Sequence, residues 1–253
     1  MDKIQSIERA SKLLGLFSVN RPRLGISEIS RDLELAKGTV QGLVRTLANE
    51  GFLSQDTETK KYQLGPRVYE LGAIFAKSLD VNQRAMVFVN EIAKRQKLVV
   101  SIGIWDRGAV LITLIAHAKI GSVPSGDFAL RFPAYCTAMG KALLAFLDQR
   151  ELESYIEQTD FHAVTTNTII DKNRLREELT LTKTRGYAIN NEEQWLRRGA
   201  IAAPIFGRNN SLVASISFGG DPARFLGNGK DELIVELIST AREISGLMGY
   251  SPH

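Results

Sequence analysis

The stretch that most limits what this chain can fold into is Leu24 to Gly51, LGISEISRDLELAKGTVQGLVRTLANEG. It reads as two short helices joined by a tight turn. The first spans Ile26 to Leu33, with Ser27 placed to cap it and Ile26, Ile29 and Leu33 on one face. The second starts near Gly38 or Thr39 and carries Val40, Leu43, Val44 and Leu47, which form one apolar stripe at helical spacing. Gly51 ends it, as a left-handed cap requires.

The other face of the second helix presents Thr39, Gln41, Gly42, Arg45, Thr46 and Asn49. Side chains that are short and polar at the start, with an Arg one turn on, suit a helix whose early residues reach base edges in a DNA major groove. The same pattern also fits an ordinary helical hairpin with a solvated outer face. The flanking segments bear on that choice. Ser6 to Ser18 predicts a preceding helix with Ile7, Ala10, Leu14 and Phe17 on one side, Ser6 as its cap and Glu8 against the positive end of the dipole. After Gly51 the rhythm becomes strand-like: Phe52 to Gln55, a polar loop from Asp56 to Lys61, then Tyr62 to Gly65. Three helices followed by a two-stranded ribbon make a winged helix-turn-helix. The basic pair Lys60 and Lys61 falls where a wing meets phosphates.

Pro66 opens a further helix at a position where its missing amide is harmless. That helix, to Asp80, reads as a linker with Val68, Leu71, Phe75 and Leu79 on one side and Gly72, Ala73 and Ala76 on another. The small side suits either a dimer seam or packing against the wing. A second helix follows from Gln83 to Lys97. Beyond it, strands are expected at Leu98–Trp105, Ala109–Ala116, Tyr187–Asn190, Ala200–Phe206 and Leu212–Phe218. Helices are expected at Thr137–Leu147, Glu151–Gln158, Asp171–Thr184 and Lys230–Gly249. The fold class is therefore α+β, in three parts: residues 1–65, a linker at 66–80, and an effector-sized domain at 81–253.

Charge adds little. The net charge is +4; residues 1 to 80 hold 12 Lys+Arg against 10 Asp+Glu, and the remainder 20 against 18. A DNA reading must rest on pattern and not on a basic half. Cys136 is the only cysteine, so no internal disulfide can form. With no apolar signal core in MDKIQSIERA and no apolar run of spanning length, a cytoplasmic protein is expected.

At this point the order of motifs resembles the IclR family of bacterial transcriptional regulators along nearly the whole chain. The matching stretches are SIERASKLLGLFS, the helix-turn-helix itself, YQLGPRVYELG, CTAMGKALLA, RGYAINNEEQWLRRGAIAAPIF and LVASISFGG. The resemblance implies an amino-terminal winged helix that binds double-stranded operator DNA and a carboxy-terminal GAF-like α/β domain that binds a small effector. It further implies a homo-dimer or tetramer, control of carbon-source or aromatic catabolism, and RNA polymerase as a candidate further partner. Two departures stand out. Gly42 occupies a recognition-helix position where the family commonly has Arg. Before IAAP, many members have Gly and Cys where this chain has Arg197 and Ala200, so an Arg197-Arg198 pair leads into that strand.

For DNA contact the candidates are Lys37, Thr39, Gln41 and Arg45, with Lys60 and Lys61 from the wing. For the effector, the resemblance points to three clusters. Ala138 and Met139 open the CTAMGKALLA helix; Asn190, Arg198 and Ala200 flank the IAAP strand; Ser215 and Ser217 share one strand face by period two. The neutral Asn190, at a position often acidic in related pockets, favours an anion, and a small organic carboxylate is the expected ligand. The plainer alternative has Ser215 and Ser217 bonding backbone groups while Arg198 faces water.

Catalytic readings have less support. Glu192-Glu193 looks like a carboxylate pair, yet neighbours on a strand face opposite ways, so a loop or structural role is expected. Cys136 reads as a small apolar filler. It shows no metal-ligand spacing with His117, His162 or His253, and no phosphate-cradling loop or cofactor motif is present. The expectation is a metabolite-responsive regulator and not an enzyme, with no cofactor. The rival is a small-molecule binding protein whose helix-turn-helix no longer reads DNA.

Overall fold

The computed structural model describes residues 4–117, 131–227 and 229–251. The chain divides into two compact units, with the change between them after Ser78. The first holds helices α1 (Gln5–Leu14), α2 (Ile26–Leu33), α3 (Lys37–Asn49) and α4 (Pro66–Ser78) with strands β1 (Leu53–Gln55) and β2 (Tyr62–Leu64).

Leu13, Leu24, Ile29, Val40, Val44 and Leu53 form the core of this unit, so the apolar stripes of α2 and α3 converge. The first helix contributes Leu13, while Ile7 of its expected stripe is 64% exposed. Two further local expectations fail. The first helix ends at Leu14, not Ser18, with Gly15 as its terminal cap and Ile4, not Ser6, at its start. Leu16 and Phe17 continue the apolar rhythm but pack onto the core from a turn. Ser27 does not cap α2. Gly25 holds that position in extended backbone, and its amide donates to the Glu28 carboxylate at 2.7 Å. That bond, with Lys61 nearby, holds the Glu28 carboxyl below the usual glutamate range.

The wing pairs in register Leu53↔Leu64 to Gln55↔Tyr62. Leu24 extends it, exchanging backbone bonds of 2.9 and 2.8 Å with Tyr62. Gly65 has to be glycine, because a Cβ there would lie 2.2 Å from the Gly51 carbonyl oxygen. Helix α4 buries no residue and exposes Tyr69, Leu71, Ile74 and Phe75. It ends two residues before the expected boundary, because Leu79 is extended and starts α5 (Asp80–Gln96).

The second unit is an antiparallel six-stranded sheet in the order β5-β4-β3-β8-β7-β6. Its strands are β3 (Val99–Asp106), β4 (Ala109–Ala116), β5 (Arg131–Pro133), β6 (Ala188–Asn191), β7 (Gly199–Phe206) and β8 (Leu212–Gly220). One face is apolar: Val100, Ile102, Ile201, Ala203, Ile205, Ala214, Ile216 and Phe218 join residues of α5 and of α10 (Lys230–Leu247) in one core. The other face carries α6 (Ala138–Leu144), with α8 (Lys172–Arg185) beyond it and α7 (Gln149–Gln158) tied to α8 by the Glu153–Arg176 ion pair. Asp148 and Asp171 cap α7 and α8 with their carboxylates, and Gly186 closes α8 at φ +82°. The strand β5 and the single-turn helix α9 (Ala223–Leu226) were not foreseen; three and four residues are too few to show a period. The α+β class and the winged helix stand as expected.

Candidate functional site

The DNA-reading candidates fall on one surface of the first unit. On α3, Lys37, Thr39, Gln41, Gly42 and Arg45 are all exposed. Among the described residues, the side chains of Lys37, Thr39, Gln41 and Arg45 have no ion pair or hydrogen bond, which leaves their polar atoms available to a partner. Thr46 is exposed as well, but its hydroxyl is spent within the helix, donating to the Gly42 carbonyl at 3.0 Å. Gly42 stands in open space: a Cβ built there meets nothing within 4 Å. The wing lysines separate. Lys60 is exposed at φ +59°, while Lys61 is drawn back to Glu28 at 3.2 Å.

In the second unit, strand register collects the effector candidates on the α6 side of the sheet. Asn190 lies opposite Ala200, and Ala202 opposite Ser217. Ser217 in turn faces Ser101, and Ser215 faces Gly103. Ala138, Met139, Asn190, Ser215 and Ser217 are buried, while Ala200 is half-buried. Arg198 is exposed and precedes β7, so it does not join that buried group.

Several of these atoms are already engaged. Ser215 Oγ donates to the Met139 carbonyl at 3.4 Å. Asn190 is used at both ends: its amide nitrogen donates to the Cys136 carbonyl at 3.1 Å, and its oxygen accepts the Glu193 amide at 2.9 Å. Asn190 therefore joins the start of α6 to the turn after β6. Thr137 caps α6 itself, accepting from the Gly140 amide at 3.0 Å.

Sequence reading missed the charged lock beneath this site. Lys141, 1% exposed, bonds Glu193 Oε1 at 2.5 Å and lies 3.7 Å from Glu178, which Arg185 holds at 2.7 Å. Glu193 Oε2 has no partner among the described residues. Burial pushes the Glu193 carboxyl above the usual glutamate range, with Lys141 opposing. Glu192 and Glu193 lie in a turn, not on a strand: Glu192 is half-buried and accepts from the Arg197 amide, while Glu193 turns inward. Burial also raises the Cys136 thiol to about 12, with the Glu193 charge adding to the effect, so no thiolate is present near neutral pH. His117 and His162 are described; His253 lies outside the described residues. A separate open cleft of about 360 Å³, walled by Phe132, Pro133, Tyr135, Tyr155 and His162, contains none of the DNA or effector candidates.

A free polar recognition helix with its wing, joined in one chain to a helix-covered sensor sheet, defines a two-unit winged-helix transcriptional regulator. The sequence matches the IclR helix-turn-helix domain over residues 6–57 and the carboxy-terminal domain of the bacterial transcriptional regulator IclR over residues 74–246. This chain belongs to the IclR family of transcriptional regulators. It is 33% identical to the glycerol operon regulatory protein of Streptomyces coelicolor, with 97% of each chain covered. It is 32% identical to the regulator XynR of Escherichia coli over 86% of each. Among solved structures, an IclR regulator from Alicyclobacillus acidocaldarius matches with a TM-score of 0.85 at 25% identity, over 98% of this chain and 100% of the other. An IclR homolog from Microbacterium hydrocarbonoxydans, complexed with 4-hydroxybenzoate, shares the fold with a TM-score of 0.83 at 21% identity. No helix among the described residues is long and apolar enough to cross a membrane.

Proposed function

We propose that this regulator binds double-stranded operator DNA through α3 and the wing, and that a small organic carboxylate held on the α6 side of the sheet sets its affinity. Lys37, Thr39, Gln41 and Arg45 contact bases and adjacent phosphates, and Lys60 and Lys61 contact the flanking backbone. The observation that carries the DNA reading is that four polar side chains of α3 stand exposed without partners on the helix face away from the core. Ala138, Met139, Asn190, Ala200, Ser215 and Ser217 form the effector site, Asn190 by fixing its floor. Arg198 serves as an outer guide for an anion.

The chain acts as a homo-dimer or tetramer. The uncovered apolar side chains of α4, Tyr69, Leu71, Ile74 and Phe75, support association through that helix. Effector binding shifts the population between spacings of the paired winged helices, which requires that the ligand prefer one spacing. A thermal-shift screen against aliphatic and aromatic carboxylates tests the ligand half; a binder at 100 times its dissociation constant stabilises the fold by about 2.7 kcal/mol. Fluorescence anisotropy with the chain's own upstream DNA tests the other half. Absence of sequence-specific binding there, with a ligand hit retained, would move the reading to a binding protein whose helix-turn-helix has lost its DNA role.

A further inference from the structure

The sheet face beneath α6 contains a hydroxyl pair that has no structural use. Ser101 on β3 and Ser217 on β8 are direct register partners, 4% and 6% exposed. Neither hydroxyl has a hydrogen-bond partner among the described residues. Both point to the α6 side, because the next pair on that face, Gly103↔Ser215, meets α6. Ser215 Oγ bonds the Met139 carbonyl, and a Cβ on Gly103 would lie 2.9 Å from Met139 Sδ. Directly opposed residues in an antiparallel ladder hold their Cβ atoms about 4.5–5.5 Å apart, so one ligand atom can reach both hydroxyls.

Other buried hydroxyls in this unit are satisfied: Ser245 donates to the Ala241 carbonyl at 2.6 Å and Thr168 to that of Glu193 at 2.6 Å. Two adjacent hydroxyls on buried residues that make no bond to the described protein atoms are left available to a ligand. Their chemistry narrows its class. A hydroxyl donates one hydrogen bond and accepts others, so a pair of them complements a group that does both. Neither cation near this face is free for the pair, since Lys141 is bound to Glu193 and Arg198 is exposed. A carboxylate set between the two serines would be buried without a countercharge, which is strongly unfavourable. A neutral hydroxyl would not be.

We infer that Ser101 and Ser217 bind a hydroxyl group of the effector, so that the ligand is a hydroxylated carboxylic acid and Ser101 is a residue that determines its specificity. The inference rests on the carboxylate reading above, with the acid end directed outward to the exposed Arg198. A site built to bond a ligand hydroxyl discriminates against the analogue that lacks it.

The test is isothermal calorimetry on the full-length chain with matched acids: 4-hydroxybenzoate against benzoate, and glycerate against propionate. Wild type, Ser101→Ala, Ser217→Ala and Ser101→Thr are compared. In at least one pair, the hydroxylated member should bind wild type at least tenfold more tightly. That ratio should collapse towards one in both alanine variants and persist in Ser101→Thr, which keeps the hydroxyl. The unliganded Ser101→Ala protein should melt no lower than wild type, since it loses no bond to the protein. Equal binding of hydroxylated and plain acids by wild type, or an undiminished preference in Ser101→Ala, overturns the inference and leaves the carboxylate reading intact. If no acid binds wild type, the carboxylate reading itself fails and takes this inference with it.

Discussion

Gly42 is the sixth residue of the thirteen in α3, exposed, and free of any contact a Cβ could disturb. Glycine in a helix interior is about 1 kcal/mol less favourable than alanine, because its backbone loses more freedom on folding. Gly42→Ala should therefore stabilise α3 locally by about that amount, with no opposing steric term. In native-state hydrogen exchange, 1 kcal/mol corresponds to roughly fivefold slower exchange of the amides that open with the helix, in peptides covering Val40 to Leu47. Gly42→Arg should gain nearly as much in exchange, because Arg is also a good helix former. On the outer face beside Gln41 and Arg45, its guanidinium should also strengthen DNA binding. If it reaches one phosphate, the slope of log affinity against log salt should steepen by about 0.9. Unchanged exchange in Gly42→Ala would refute the helix argument. A Gly42→Arg protein with slower exchange but unaltered affinity and salt slope would refute the placement of this face against DNA.

Lys141→Met leaves Glu193 buried without its cation and should destabilise the fold by about 3–5 kcal/mol in urea unfolding, with much of that recovered by adding Glu193→Gln. Because burial raises the folded-state Glu193 pKa above its ordinary 4.5, this carboxyl adds stability at low pH and loses it as pH rises through the raised value. The stability of wild type minus that of Glu193→Gln should therefore fall as pH rises above the ordinary 4.5, and a flat difference would contradict the assignment. Arg197 sits at φ +61°, where glycine is favoured, so Arg197→Gly should stabilise by about 1 kcal/mol in chemical denaturation, and a loss would count against it. Cys136, buried and with its thiol pushed up to about 12, should resist iodoacetamide at pH 8 in the native state and label fully in urea. Native labelling at the unfolded rate would show the thiol to be accessible.

The helix-turn-helix and wing were legible because they are local: stripes, turn glycines and period changes all lie within a few residues of what they govern. The same locality misled at the end of α1, where Leu16 and Phe17 keep a helical rhythm after the chain has turned, and at Ser27, where a glycine with Glu28 three residues on does the capping. Ser215 and Ser217 were visible by period two on one strand. Ser101 was not, since a lone serine in VVSIGIWD becomes informative only when register sets it opposite Ser217. The Lys141–Glu193 lock joins residues 52 apart in sequence, and only the topology of α6 against β6 brings them together. Asn190 was picked for a ligand and is committed to two backbone groups, a distinction that a one-dimensional pattern does not carry.

Among the described residues, the sheet order β5-β4-β3-β8-β7-β6 leaves two outer strands, and each is blunted. The β5 strand is three residues long and ends in Pro133, which has no amide to offer, and β6 is four residues long and runs into the turn locked by Glu193. Long flat edges invite strand addition from another chain, and short or proline-bearing ones resist it. If copies of this chain associate through helices and loops as proposed, these blunt edges keep their sheets from fusing.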